Sequence, residues 1–439
     1  SAAINGKLFD TAKKAAKDTE KAKQEEIEDI KNVEDKIDEI LGVTTNDKVE
    51  DIISKPVAGQ TEVYAIIFSD GTMELRKEKP TETENVVFKT EESFSNKLFK
   101  SEEEIPWISY VDSIKEVKIT DEIVPRTTAM WFQGLKNLTK ISNIQNLKTD
   151  KVASMESMFD GCTSLEEVDV SGFNTQEVIS MCAMFQKCSK IKNLAVGNWD
   201  TSKVIDMGWM FNKCSTLTNI DVSKFNTSKV KSTRSMFQLC SSLTSLNVSS
   251  FDTANVTDMS FMFNKCEKLS SLDLKNFNTS NVTSMYAMFQ YCRGLTYLNV
   301  SSFDTRNVED MGYMFKFCEN LTELDISNFK TPKVESFYWM FQSCEKIGQL
   351  DLSGFQTSKI QYFAGMFSGC SILKTTIVID VSSIDSTPGY AYNQMLSGAA
   401  TAEGAQITIR YKASQKGIIA EMVKTKSTSS NIVLEEIAK

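Results

Sequence analysis

The sequence predicts an α/β repeat solenoid, preceded by an N-terminal helix and a small α+β unit. Three observations carry that expectation. Nine cysteines, from Cys162 to Cys370, stand 26 residues apart, and a Met-Phe pair keeps the same step from Met158-Phe159 to Met366-Phe367. A Leu or Ile follows each of these cysteines by three residues, from Leu165 to Leu373. A threonine at the phase of Thr175 stands in all eight complete inter-cysteine units. Repetition at such a period means stacked units, none of which can bury its apolar face alone.

Spacing inside one unit predicts its parts. Leu217, Ile220 and Val222 follow an L-x-x-L-x-L pattern, whose end alternates as a short strand does. Val204, Met207, Met210, Phe211 and Cys214 recur at three- and four-residue steps, which predicts a short helix. Asn226-Thr227-Ser228 supply caps for the next one. Each unit is therefore expected to run strand, turn, short helix, turn. At about 4.8 Å per strand, such coils would form a ladder on the order of 45 Å long. The run Met130 to Ile141 reads as a degenerate first copy, with Leu135 in the place of cysteine.

The flanks divide the rest. Residues 1–42 read as an amphipathic helix, with Phe9, Ala12, Ala16, Ile30, Val33, Ile37 and Ile40 on a narrow apolar stripe. It could pack on its own domain or against partner helices. Residues 43–104 hold a hairpin signal, Glu62–Phe68 and Met73–Lys77 about an Asp70-Gly71 turn, and a third strand at Val86–Phe88. The solenoid is assigned to 105–375. Beyond Cys370 the phase is lost, and 376–439 is expected to be a C-terminal cap with strands at Thr376–Val381 and Gln406–Tyr411 and a helix at Ser414–Lys424.

Composition narrows the chemistry. The 439 residues carry a net charge of −9 and no histidine. Ser-His-Asp triads and His-built zinc sites are therefore excluded, and an acidic chain argues against a nucleic-acid partner or an anionic membrane. No apolar stretch reaches the eighteen residues of a membrane span and no signal peptide opens the chain, so any anchor is expected upstream of Ser1. No enzyme activity, cofactor or metal is expected.

The unit Met-Phe-x-x-Cys-x-x-Leu-x-x-Leu-Asp-Val-Ser-x-Phe-Asn-Thr-Ser-x-Val-x-x-Met resembles the BspA-like leucine-rich repeat of bacterial surface proteins. Met210 to Met259 fits it closely, with Thr233 where Met is usual, and Pro106–Tyr110 with Ser113–Lys115 is similar to the lead-in of such arrays. The resemblance covers roughly residues 105–375 and implies a leucine-rich-repeat-like solenoid on a bacterial, extracellular cell surface. Adhesion to host or microbial macromolecules is the role it implies. The chain departs from ordinary leucine-rich repeats at the Phe173 phase, where asparagine is usual, so aromatic stacking is expected to replace an amide ladder there. Ile4–Lys7, Ala12-Lys13 and Ala16–Ala22 resemble the outer part of a Gram-positive type IV pilin-like first helix. That likeness implies self-association and a filament subunit or tip as the alternative function.

Three candidate sites remain. The cysteine column reads as a ladder of buried thiols, since neighbours about 4.8 Å apart do not suit a disulfide and no Cys-x-x-Cys knuckle is present. The column of Asp169, Asp221, Asn247, Asp273, Asn299, Asp325 and Asp351 could bind calcium, or be solvated and turn-bonded. The third is aromatic. Residues at the Ala183 phase alternate large and small along most of the column, which suits either packing between coils or an exposed strip. Tyr286, Tyr291, Tyr313, Phe317, Tyr338, Trp339 and Tyr362 are the candidate ligand-binding residues for a protein or glycan, with Lys316, Lys333 and Glu335 as rim.

Overall fold

The computed structural model describes residues 49–384 and 391–437. The chain divides into two units, Ser1–Ile52 and Ile53–Lys439, and all the repeats lie in the second. The helix expected over residues 1–42, and with it the pilin likeness, lies outside the described residues.

Strands β1 (Tyr64–Phe68) and β2 (Thr72–Arg76) form the expected antiparallel hairpin. Its turn is held by Gly71 at φ +90° and by the Asp70 carboxylate, which accepts the Thr72 N–H at 2.8 Å. Strand β3 (Val86–Lys89) pairs antiparallel with β1. Beyond β2 the sheet continues in parallel through β4 (Glu116–Ile119) and β5 (Lys140–Ser142), in the order β3-β1-β2-β4-β5. The hairpin thus closes the first edge of the coil strands, where unpaired backbone would otherwise be left.

From Thr127 onward the backbone repeats. Parallel bridges join Thr127, Ser154, Ser180, Asp206, Ser232, Asp258, Ser284, Asp310, Ser336 and Tyr362 in succession. Each coil lies on the next through phase-matched side chains. The Phe159 column stacks ring on ring from Phe159 to Phe367, with neighbouring centroids such as Phe159–Phe185 at 5.3 Å and Phe237–Phe263 at 6.0 Å, and Phe132 meets Phe159 at a tilt of 34°. The nine in-register cysteines are buried free thiols. Each Sγ–H points at a phenylalanine carbonyl of a preceding coil, as Cys240 does at Phe211 (3.2 Å). Burial pushes the Cys240, Cys292 and Cys370 thiols up to about 12.

The recurring threonine has a physical reason. Thr253 Oγ1 donates to the Asn278 carbonyl (3.0 Å) and accepts the Asn278 N–H (2.8 Å), and Thr201, Thr279 and Thr305 make the equivalent donation to the next coil. One buried hydroxyl satisfies two backbone groups that water cannot reach.

The short helices expected in each unit are not there. Around the Met-Phe pair the N–H groups of Met155, Ser157, Phe159 and Gly161 cross to the carbonyls of Ser180, Cys182, Met184 and Gln186 at 2.9–3.0 Å. Met158, Asp160 and Cys162 instead donate three residues back, at 3.1–3.2 Å. An α-helix would send every N–H four residues back along its own turn. Two residues per coil also take a left-handed conformation, for example Trp209 (φ 54°) and Lys213 (φ 61°), which no helix tolerates. The segment is a chain of tight turns, and its three- and four-residue apolar spacing marks inward-facing turn positions. Strand geometry is regular only in places, as in β6 (Ser271–Asp273) paired in parallel with β7 (Tyr297–Asn299).

The coil path does not end at Cys370. Gly365, Phe367 and Gly369 donate to Asn393, Met395 and Ser397 at 2.8–3.0 Å, so residues near 391–398 form one more set of turns. Strands β8 (Lys374–Val378), β9 (Gln406–Lys412) and β10 (Ile432–Ile437) continue in parallel, with helix α1 (Lys416–Val423) between the last two. The expected cap elements are therefore present, but built as irregular coils.

Candidate functional site

Two neighbouring columns run along one side of the stack, at the phases of Cys182 and Ala183. Coil by coil they read Gly208-Trp209, Arg234-Ser235, Ser260-Phe261, Tyr286-Ala287 and Gly312-Tyr313. The bulky side chain thus comes from one column and then the other, and the small one leaves room for its neighbour. Contacts follow this zigzag. The buried Arg234 guanidinium lies 5.4 Å from both the Trp209 and Phe261 rings and pairs with Asp258 at 3.2 Å. Phe261–Tyr286, Tyr286–Tyr313 and Tyr313–Tyr338 then meet edge to face at 5.3, 5.4 and 5.3 Å.

The same alternation governs two further phases. Before the zigzag, Ser180, Asp206, Ser232, Asp258, Ser284, Asp310 and Ser336 alternate. The aspartates accept the N–H of the small residue two positions on, as Asp206 does from Gly208 (2.8 Å). The serines accept it more loosely from the bulky one, as Ser284 does from Tyr286 (3.4 Å). After the zigzag, Gln186, Asn212, Gln238, Asn264 and Gln290 alternate as an amide ladder, with Asn212–Gln238 and Asn264–Gln290 both at 2.7 Å. The structural period along this side is therefore two coils, not one.

This ladder stands apart from the Phe173 phase, where aromatic stacking is expected. The Phe173 phase does stack, for example Phe277–Phe303 at 6.4 Å, but an amide ladder exists as well, on the turns two residues before cysteine.

Past Tyr313 the alternation is broken at Lys316, Trp339, Tyr362, Gly365 and Ser368, and the first two lie against each other. Lys316 stands where asparagine is due, and Trp339 where a small residue is due. The largely buried Lys316 ammonium lies 4.6 Å from the Tyr313 ring, 5.5 Å from Phe317, 5.6 Å from Trp339 and 6.0 Å from Tyr291. Trp339 fits because the next coil has Gly365, over which its indole lies. Beside them Tyr291 and Phe317 stack at 4.7 Å, with Lys265 and Arg293 over the Tyr291 ring at 5.2 and 5.1 Å. Tyr291, Tyr313, Phe317 and Trp339 all hold left-handed backbone, costly for bulky residues and held in place by the stacked turns.

The seven candidate aromatics thus fall on one side, but not all at the surface. Tyr286 and Tyr313 are buried in the zigzag, which corrects their reading as exposed anchors. Tyr291, Phe317, Tyr338 and Trp339 are half-buried, and Tyr362 is exposed at 46%. Lys316 sits at the centre of the group and not on its rim. Sequence reasoning missed Lys265 and Arg293, although their place in the repeat register one coil from Tyr291 and Phe317 was the available signal.

The other columns are accounted for by local structure. Asp169, Asp221, Asn247, Asn299, Asp325 and Asp351 each accept an N–H two residues on, and most also a serine hydroxyl, as Asp221 does from Ser223 (2.6 Å). Those serine bonds hold the Asp169, Asp221 and Asp351 carboxyls below their ordinary range. Among the described residues no group of three His, Cys, Asp or Glu could hold a metal, and no helix is long and apolar enough to cross a membrane.

Comparison with known proteins places the coil region. A family model described as "Mycoplasma protein of unknown function, DUF285" matches residues 126–245, 209–297 and 292–408, more than half of the chain. The chain belongs to this family. No curated protein matches it. Among solved structures, a leucine-rich repeat protein from Eubacterium ventriosum is 14% identical and covers 78% of this chain and 89% of its own, with a TM-score of 0.30. A TLR13–ssRNA13 complex is 11% identical over 73% of this chain and 50% of the other, with a TM-score of 0.24.

Proposed function

We propose that this family member is a bacterial cell-surface interaction protein, an adhesin, whose coils present the Tyr291–Tyr362 side to a macromolecule of a host or neighbouring microbe. It is read as a binder and not as an enzyme. One observation carries the reading: the two-coil alternation that packs this side is kept from Asp206 to Tyr313 and first departs at Lys316 and Trp339, inside the aromatic cluster. Packing alone needs no departure there, because asparagine (Asn212, Asn264) and a small residue (Ser235, Ala287) fill the equivalent places two and four coils before. Half-exposed tyrosine, phenylalanine and tryptophan gathered on one side are the side chains that most often dominate interface energy. Extracellular display follows from the resemblance to BspA-like surface proteins and belongs to the same proposal.

The test is binding of the purified chain to cultured epithelial cells and to immobilised matrix proteins, beside Phe317→Ala/Tyr362→Ala. Neither side chain is fully buried, so melting should shift by only a few degrees. Affinity should fall at least tenfold, about 1.4 kcal/mol or more. Unchanged binding by the folded variant would overturn the reading.

A further inference from the structure

The cluster has a sign. Tyr291 and Phe317 come from adjacent coils, and their planes lie within 16° of each other at a 4.7 Å centroid separation. The stack therefore runs along the coil axis, and solvent meets ring edges, which carry the positive end of the aromatic quadrupole. Their faces already hold cations. Lys265 and Arg293 lie over Tyr291, Arg293 also lies 5.4 Å from Phe317, and Lys316 reaches both rings. Glu319 pairs with Arg293 at 3.0 Å, which leaves the group positive on balance. Two coils before Lys265, at the same phase, the exposed Lys213 extends the line. Such a surface repels a cation and gives an apolar ligand little open ring face. It suits a negative charge, and the placement of Lys265, Arg293 and Lys316 on successive coils, with Lys213 two coils before Lys265, gives that charge a direction.

We infer that this strip binds an acidic polysaccharide laid along the coil axis, its carboxylates or sulfates against the Lys213, Lys265 and Arg293 side chains and its sugar rings beside the Tyr291–Phe317 edges. The inference rests on the adhesin reading and names its partner class. It also marks a local reversal in a chain whose net charge is −9. A polymer is favoured over a small anion because the cations are spread along the repeat axis and do not converge on one point. A stiff sugar chain keeps that alignment at less ordering cost than a flexible acidic peptide.

The experiment measures retention of the intact chain on immobilised heparin and immobilised hyaluronate, with polyglutamate as the peptide comparison, at low and high salt. Retention on at least one polysaccharide, weakened by salt, is expected. Lys213→Ala/Lys265→Ala/Arg293→Ala should lose at least tenfold in affinity with an unchanged melting temperature, since none of the three is buried. Failure to bind either polysaccharide, equal binding by the triple variant, or polyglutamate binding as tight as polysaccharide binding would each overturn the inference. The adhesin reading fails separately. If Phe317→Ala/Tyr362→Ala abolishes cell binding while neither polysaccharide is retained, the polysaccharide is wrong and the binding face stands. If only the triple variant loses polysaccharide, with cell binding intact in both variants, the strip stands and the adhesin reading falls.

Discussion

Trp339 lies so closely over Gly365 that a β-carbon on the glycine would stand 1.9 Å from Trp339 Cε3. Gly365 also has φ +62°. Gly365→Ala is therefore expected to destabilise the chain by about 3 kcal/mol or more, of which left-handed backbone contributes roughly 1–2. Trp339→Ala alone should cost about 2 kcal/mol, since the indole is only half-buried. The double variant should cost clearly less than the sum, because removing the indole removes the clash. Denaturant unfolding of the four proteins reads this directly, and strict additivity would show that the ring does not occupy that position.

Threonine at the Thr253 phase should not be replaceable by its isostere. Thr253→Val keeps the shape but removes the donor to the Asn278 carbonyl and the acceptor for its N–H. The expected loss is about 1–3 kcal/mol in urea unfolding. Ser280→Ala, which removes an exposed hydroxyl bonded to Asn278 Oδ1, should stay within about 0.5 kcal/mol.

The thiol ladder makes stability fall in alkali. The folded thiols are raised, three of them to about 12, whereas an unfolded cysteine titrates near 9. Between those values the unfolded chain has lost protons that the folded chain keeps. Stability is therefore full below about pH 9 and drops as pH rises above it, by about 1.4 kcal/mol per pH unit for each thiol. Nine such groups acting together should unfold the chain cooperatively soon after the slope begins. Absorbance from the nine ladder thiolates and circular dichroism should change together; more than one thiolate appearing near pH 9 with the dichroism unchanged would contradict the burial, since only Cys182 lies outside the ladder.

Much of the fold was legible in the sequence, and the failures have a common cause. The 26-residue register, the buried cysteines, the first copy at Met130–Ile141 and the hairpin about Gly71 follow from periodicity and turn chemistry, which are local. The helix expectation failed because turn positions facing inward also recur at three and four residues. The clue against it was glycine at Gly134, Gly161, Gly365 and Gly369, in phases that the structure holds left-handed. Burial of Tyr286 and Tyr313 was not legible from either column alone. It depends on which neighbour in the adjacent column is small, as Gly312 is beside Tyr286, where a β-carbon would stand 3.0 Å from the ring.

The pairing of coils is tested most directly by removing them. Deleting 258–283 takes out one coil and sets Arg234 beside Tyr286 and Gln238 beside Gln290, bulky against bulky and glutamine against glutamine. Deleting 232–283 takes out two and restores the order, with Gly208-Trp209 followed by Tyr286-Ala287 and Asn212 by Gln290. In a plain array each lost coil subtracts a similar amount, so the shorter protein is the weaker. Equilibrium urea unfolding of both deletions is expected to give the opposite order, with the two-coil deletion the more stable. A two-coil deletion that is equally or less stable than the one-coil deletion would contradict the alternation on which the candidate site is defined.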